Sequence, residues 1–266
     1  MTTPEQARFV RKSLDELSIE DETSFRHVGL YADLKEILRK SGYSFRVLPD
    51  GGIGSWDRAL FLNLTFWGQN QGGDVLVEPS LPADVVAHVC WHHLAANALG
   101  SSKASRPSVQ SLFLGEAIAS AFDLYLVGRL LGHAPSSSFL ETQVPAMSEA
   151  AEASGLDEDA IEDLIRGITE DPEGAFAQLR ELLMDATSAL FACSDAEGAL
   201  EVLTRFESHP FAPLLHRYEL ANWVLYARAY GDPAPDLETQ ATEDSLRAAK
   251  VPLDWLVDHW VRPALG

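Results

Sequence analysis

Residues 82–99 read PADVVAHVCWHHLAANAL, and residues 107–131 read PSVQSLFLGEAIASAFDLYLVGRLL. Apolar side chains fall on nearly every face at helical spacing. Each stretch therefore predicts a helix enclosed by the rest of the chain rather than one lying on its surface. Three polar residues stand inside them: His88 and His92 in the first, Glu116 in the second. Buried polar groups need partners. His88 and His92 are four residues apart, so they share one helix face one turn apart. Gly100 suits a helix C-terminus and Pro107 the first turn of the next helix. The short linker between them predicts an antiparallel pair.

Counting along that pair sets the level of the acid. The chain climbs seven residues from His92 to Leu99 and descends nine from Pro107 to Glu116. At ~1.5 Å per residue, Glu116 falls about 3 Å past His92 and His88 about 6 Å past it. The carboxylate is then level with the gap between the imidazoles. Two imidazoles and one carboxylate form a three-donor site with an open position, which suits zinc or, alternatively, non-haem iron. Asp123 lies seven residues after Glu116 on the same face. It is placed to accept a hydrogen bond from a ligand histidine and fix its tautomer. The competing readings are hydrogen-bonded core histidines, a glutamate paired with a distant arginine, and a capped or ion-paired Asp123.

This region, about residues 82–131, resembles the core of the gluzincin metallopeptidases, the thermolysin-like and minigluzincin group. Their active helix carries H-E-x-x-H, and a following helix carries a ligand glutamate. Here the first motif stands as His88-Val89-Cys90-Trp91-His92 and the second as Gly115-Glu116-Ala117-Ile118-Ala119-Ser120. The resemblance implies zinc held by His88, His92 and Glu116. In the family an acid tends to follow the ligand glutamate by four residues; Ser120 holds that place here. The family also often uses a tyrosine or histidine from a C-terminal helical region to stabilise the oxyanion. In ESHPFAPLLHRYELANW, His216 and Tyr218 are the candidates by that resemblance.

One position departs from the family. Val89 stands where the general-base glutamate belongs, and a general base contributes roughly 10²–10⁴-fold to rate. The resemblance therefore implies a metal-binding protein whose peptidase activity is lost or altered. His93 points about 100° away from His92 around the helix, which makes it a poor substitute base. Glu78 and Asp84 lie upstream without geometric support. Two alternatives stay open: a 2-His-1-carboxylate iron enzyme, and a non-enzymatic interaction protein that keeps the fold.

Twenty basic against forty acidic residues give a net charge of −20. Such a surface disfavours nucleic acid and anionic membranes as partners and leaves a cationic partner, peptide or protein, open. Two cysteines exclude a disulfide framework and fit a reducing compartment. The first residues show no apolar leader, and no uninterrupted apolar run approaches ~18 residues, so a cytoplasmic protein without a membrane span is the expectation. Nothing in the sequence sets the oligomeric state.

The expected fold is α+β and predominantly helical: a small N-terminal sheet, the helix pair, then an all-helical half. Helices are expected over 4–18 and 27–40, and strands over 43–48, 60–67 and 74–78, with turns at Pro49–Gly52 and Gly72-Gly73. Trp56, Phe66, Trp67 and Gln69 would surround the sheet turns, and Asn63 and Thr65 would share a strand face. The HAPSSS loop after Gly132 divides a metal-site domain, 1–132, from a helical domain, 133–266. The acidic stretch 149–173 keeps an apolar face through Leu156, Ile161, Leu164 and Ile168 and predicts one solvated helix. Further helices are expected over 172–192, 195–206, 210–230, 239–248 and 252–261.

Overall fold

A computed structural model describes residues 9–49, 74–100 and 106–266. The expected strand at 60–67 and the residues Trp56, Asn63, Thr65, Phe66, Trp67 and Gln69 lie outside the described residues, as do most of the two expected turns. The protein is a predominantly helical α+β fold.

The chain opens differently from expectation. Residues 10–18 do not form a helix. Val10–Ser13 is strand β1, Leu14–Glu16 is one 3-10 turn, and Ser18–Glu20 is strand β2. Ser13 and Glu16 cap that turn reciprocally, with the Ser13 N–H donating to Glu16 Oε2 at 2.8 Å. The alternation of Leu14 and Leu17 with polar residues mimics a helical stripe, but tertiary pairing decides the outcome. β1 runs antiparallel to β3, Ser44–Val47, with Val10 opposite Val47. β3 in turn pairs in parallel with the short β4, Val75–Leu76. β2 pairs in parallel with β5, Ser80–Pro82, a strand the sequence did not suggest. Between them lie a single-turn helix α1, Glu22–Phe25, and the amphipathic α2, Gly29–Lys40.

β5 leads directly into α3, Ala83–Ala98, and α4 follows over Val109–Leu131. Both agree with expectation to within two residues. Gly100 adopts φ +66°, the left-handed conformation that ends a helix without a Cβ clash. Ser108 caps α4 by accepting from the Ser111 N–H. α4 is the centre of the molecule, with every residue from Leu112 to Phe122 buried. By length and composition it could cross a membrane, but 94% of that stretch is buried inside the fold. α3 packs on one side of it, and the most extensive helix contact is made on another side by α7, Pro172–Phe191. Gly128 permits a close approach where α6, Glu158–Glu170, gives way to α7: a Cβ would meet the Ile168 carbonyl at 2.4 Å and the Pro172 side chain at 3.1 Å.

The remaining elements are α5, Ser138–Ala153, α6, Glu158–Glu170, α8, Ala196–Arg205, α9, Leu220–Tyr230, and α10, Leu237–Ala248. The chain closes with α11, Pro252–Leu256, a π turn over Val257–Val261, and α12, Arg262–Leu265. Two expectations are corrected here. The acidic stretch is not one helix: Gly155 at φ +90° ends α5, and Asp157 caps α6 by accepting from the Ala160 N–H. Nor is 210–230 one helix. Ala212–Tyr218 is 3-10, and Glu219 at φ +47° breaks it from α9. The hydrophobic cluster runs without interruption from Leu14 to Val261 and includes residues on both sides of position 132.

Candidate metal centre

α3 and α4 bring their polar residues together. His92 Nε2 lies 3.1 Å from His88 Nε2 and 3.2 Å from Glu116 Oε2. His88 Nε2 lies 4.0 Å from Glu116 Oε1. One donor atom from each residue falls within 4.8 Å of the others, which is enough for a metal ion to be held among them. Close helix approach makes this possible. Gly115, immediately before Glu116, faces Ala95, and a Cβ at position 115 would stand 3.3 Å from the Ala95 Cβ.

Around this triad the next polar partners are in place. Asp123 Oδ2 lies 2.9 Å from His88 Nδ1. That acceptor keeps a proton on Nδ1, so that whenever the ring is neutral, as in a metal ligand, Nε2 turns its lone pair toward His92 and Glu116. Ser120 Oγ donates to Glu116 Oε1 at 3.4 Å. Glu116 Oε2 is buried without a hydrogen-bond partner, although it lies 3.2 Å from His92 Nε2. The contact is close, but it is not a well-formed hydrogen bond.

The electrostatics follow from this crowding of acids. Burial disfavours the His88 cation, yet Asp123, Glu116 and Asp84 together outweigh it and raise its pKa to about 9. Burial likewise disfavours the Glu116 carboxylate, but His92, His88 and Ser120 hold its pKa below the usual value. Burial and the neighbouring Asp123 push Asp84 up to about 7, against the pull of His88. Among the described residues no lysine or arginine forms an ion pair with Glu116 or Asp123. Among the described residues, the positive charge paired with these acids is that of imidazole.

A zinc site passes a simple fit test. Two donors bound to one tetrahedral ion at ~2.0–2.1 Å stand about 3.3 Å apart. The observed 3.1 and 3.2 Å separations are close to that, and 4.0 Å is somewhat long. The unpartnered Glu116 Oε2 also lies where a cation would satisfy it. Access is from the His88 side: the side chains of His88 and Asp123 are 21% and 27% exposed, against 9% and 7% for His92 and Glu116.

Other expected residues fall elsewhere. Val89 is buried in the core. Cys90 is also buried, and burial pushes its thiol pKa up. His93 turns away from the triad, bonds Asn97 at 3.0 Å and packs edge-on against Tyr43. Glu78 is exposed. His216 is exposed and lines a separate groove whose lining includes none of the triad. Tyr218 is different. Burial raises its pKa, Arg217 opposes that, and the charge of Asp123 adds to it, so its phenol shares the electrostatic neighbourhood of the site. Asp84 is the residue whose place the sequence left undecided. Its signal was the spacing Asp84, His88, His92, which repeats every four residues along one face of α3.

Comparison with protein-family models, curated proteins and solved structures finds no match to this chain. The functional reading therefore rests on the chemistry of the site.

Proposed function

We propose that this protein binds a transition-metal ion, zinc in the first instance, through His88, His92 and Glu116. We propose further that it follows a gluzincin-like plan in which peptidase chemistry is lost or altered. The observation that carries the first statement is the convergence of two imidazole nitrogens and a carboxylate whose buried Oε2 has no hydrogen-bond partner. A bound zinc ion would supply Lewis acidity toward water or a carbonyl. Asp123 would orient His88, and Ser120 would steady Glu116. The order of the donors, their placement on two successive buried helices and the small sheet before them support the likeness. Val89, buried and unable to accept a proton, argues against ordinary hydrolysis.

The same donor set suits iron(II), and metal analysis separates the two readings. Purified protein is expected to carry stoichiometric zinc, and His88→Ala and Glu116→Ala variants to lose it. Equal metal content in all three proteins would overturn the proposal in favour of a self-satisfied hydrogen-bonded cluster. Iron with oxygen-dependent turnover would replace zinc by the oxygenase-like reading. Val89→Glu tests the second statement. Peptide hydrolysis above the wild-type level supports a cleft that lacks only its base, whereas unchanged inactivity means the cleft has diverged as well.

A further inference from the structure

A second feature lies apart from the metal centre and does not depend on it. A groove of about 1010 Å³ opens between α8 and α9, with further walls from the end of α7 and the 3-10 segment. Its volume lies at the upper end of small-molecule sites. Leu156, Leu190, Leu203 and Val224 form part of its apolar lining. Leu200 on α8 and Leu225 on α9 also line it and are 66% and 61% exposed. A single exposed leucine needs no explanation, but two on adjoining helices of one apolar groove form a patch.

The charge of the lining narrows the occupant. Asp195, Glu207 and Glu219 contribute carboxylates. The cation opposite them, Arg228, is already committed: its Nη2 donates to the Phe191 and Cys193 carbonyls at 3.1 and 2.6 Å. The chain as a whole carries −20. We propose that this groove receives an amphipathic helix from a partner protein, its apolar face laid between Leu200 and Leu225 and its polar face basic. Helix-in-groove recognition reads apolar anchors at i, i+3 or i+4 and i+7, and the acidic rim selects the sign of the flanking charges.

The test uses the full chain and two synthetic amphipathic helices of about 15 residues, long enough to span several turns. One combines leucine with lysine, the other leucine with glutamate, and binding is read by fluorescence anisotropy. The leucine–lysine peptide is expected to bind. Leu200→Asp with Leu225→Asp, both at exposed positions, should weaken it by ~10-fold or more, as loss of anchor contacts does. Retained cooperative melting of that variant shows that the fold survives. Glu207→Gln should weaken binding a few-fold and flatten its salt dependence. Equal binding of the leucine–glutamate peptide would overturn the proposal. So would binding by neither peptide, or lysine-peptide binding that the double variant leaves unchanged, which would be charge attraction alone. Self-association in sedimentation equilibrium, abolished by the same double variant, would also overturn it by assigning the groove to a second copy of this chain.

Discussion

Two buried polar clusters in this molecule handle charge in different ways. Between α7 and α10, Arg180 is 1% exposed and pairs with Glu243, which also accepts from Arg247 Nε at 2.7 Å. Arg247 reaches on to Glu181 and Asp185, at 2.6 Å each. Acids and bases alternate, and the cluster carries its own cations. Even so, burial outweighs pairing there, lowering the pKa of Arg180 and raising that of Glu243. Between α3 and α4, among the described residues, the carboxylates pair with imidazoles and with no lysine or arginine, and the buried Glu116 Oε2, 3.2 Å from His92 Nε2, has no hydrogen-bond partner. The first cluster supplies guanidinium countercharges for its carboxylates, although Arg180 Nε is buried there without a hydrogen-bond partner. The second cluster has imidazoles as its countercharges and could hold a cation, and that difference in countercharge separates the candidate metal centre from the structural brace.

The comparison can be broken or sharpened by measurement. The largest effect is expected at the brace. Arg180→Met leaves Glu243 with only the partly exposed Arg247 and should cost about 3–5 kcal/mol in urea unfolding. An Arg180→Met, Glu243→Leu double variant should recover much of that loss. A loss under 1 kcal/mol for the single variant would mean that the network is not a brace at all.

The centre should respond next, through its ion. Adding zinc to chelator-treated protein at about 100 times its Kd should stabilise it by ~2.7 kcal/mol, read as a rise in Tm. Glu116→Ala should abolish the rise, while the Arg180 variant should keep it. A zinc-induced rise that survives in Glu116→Ala would place the ion elsewhere. Asp123→Ala should lower zinc affinity by about 10–100-fold without removing the site, because it acts through the orientation of His88. Unchanged affinity in a titration against a fluorescent chelator would deny Asp123 that role.

The smallest expected effect is a matter of pH. The pKa of Asp84 is raised in the folded chain to about 7, so the folded state holds its proton more tightly than the unfolded state does. Stability in the metal-free protein therefore falls as pH rises from the ordinary aspartate value toward 7. Asp84→Asn should remove that loss, raising Tm at pH 8 by several degrees and leaving it unchanged near pH 3.5. An equal change at both values would point to packing rather than charge.

Much of the centre was legible because it depends on local spacing. His88 and His92 share a face by helical period, and a short antiparallel connection brings Glu116 level with them whatever the rest of the chain does. Asp123 was legible for the same reason. Asp84 was less so, since its environment is set by Asp123 across the helix pair. His216 and Tyr218 show the limit. They are two residues apart in one 3-10 segment, yet His216 lines the separate groove while burial and the charge of Asp123 both raise the pKa of Tyr218. The opening segment was misread because a few residues of amphipathic pattern weigh less than strand pairing with β3 and β5.

By itself the sequence determined the two buried helices, the stop at Gly100 and the donor residues they carry, because these follow from period, chain reversal and side-chain chemistry; that Ser108 rather than Pro107 opens the second helix came from the structure. Tertiary structure alone decided the strands at the N-terminus, the pairing of Arg180 with Glu243, and the groove between α8 and α9. Those features depend on contacts between residues far apart in the chain, and local propensity carries no record of which distant neighbour will be present.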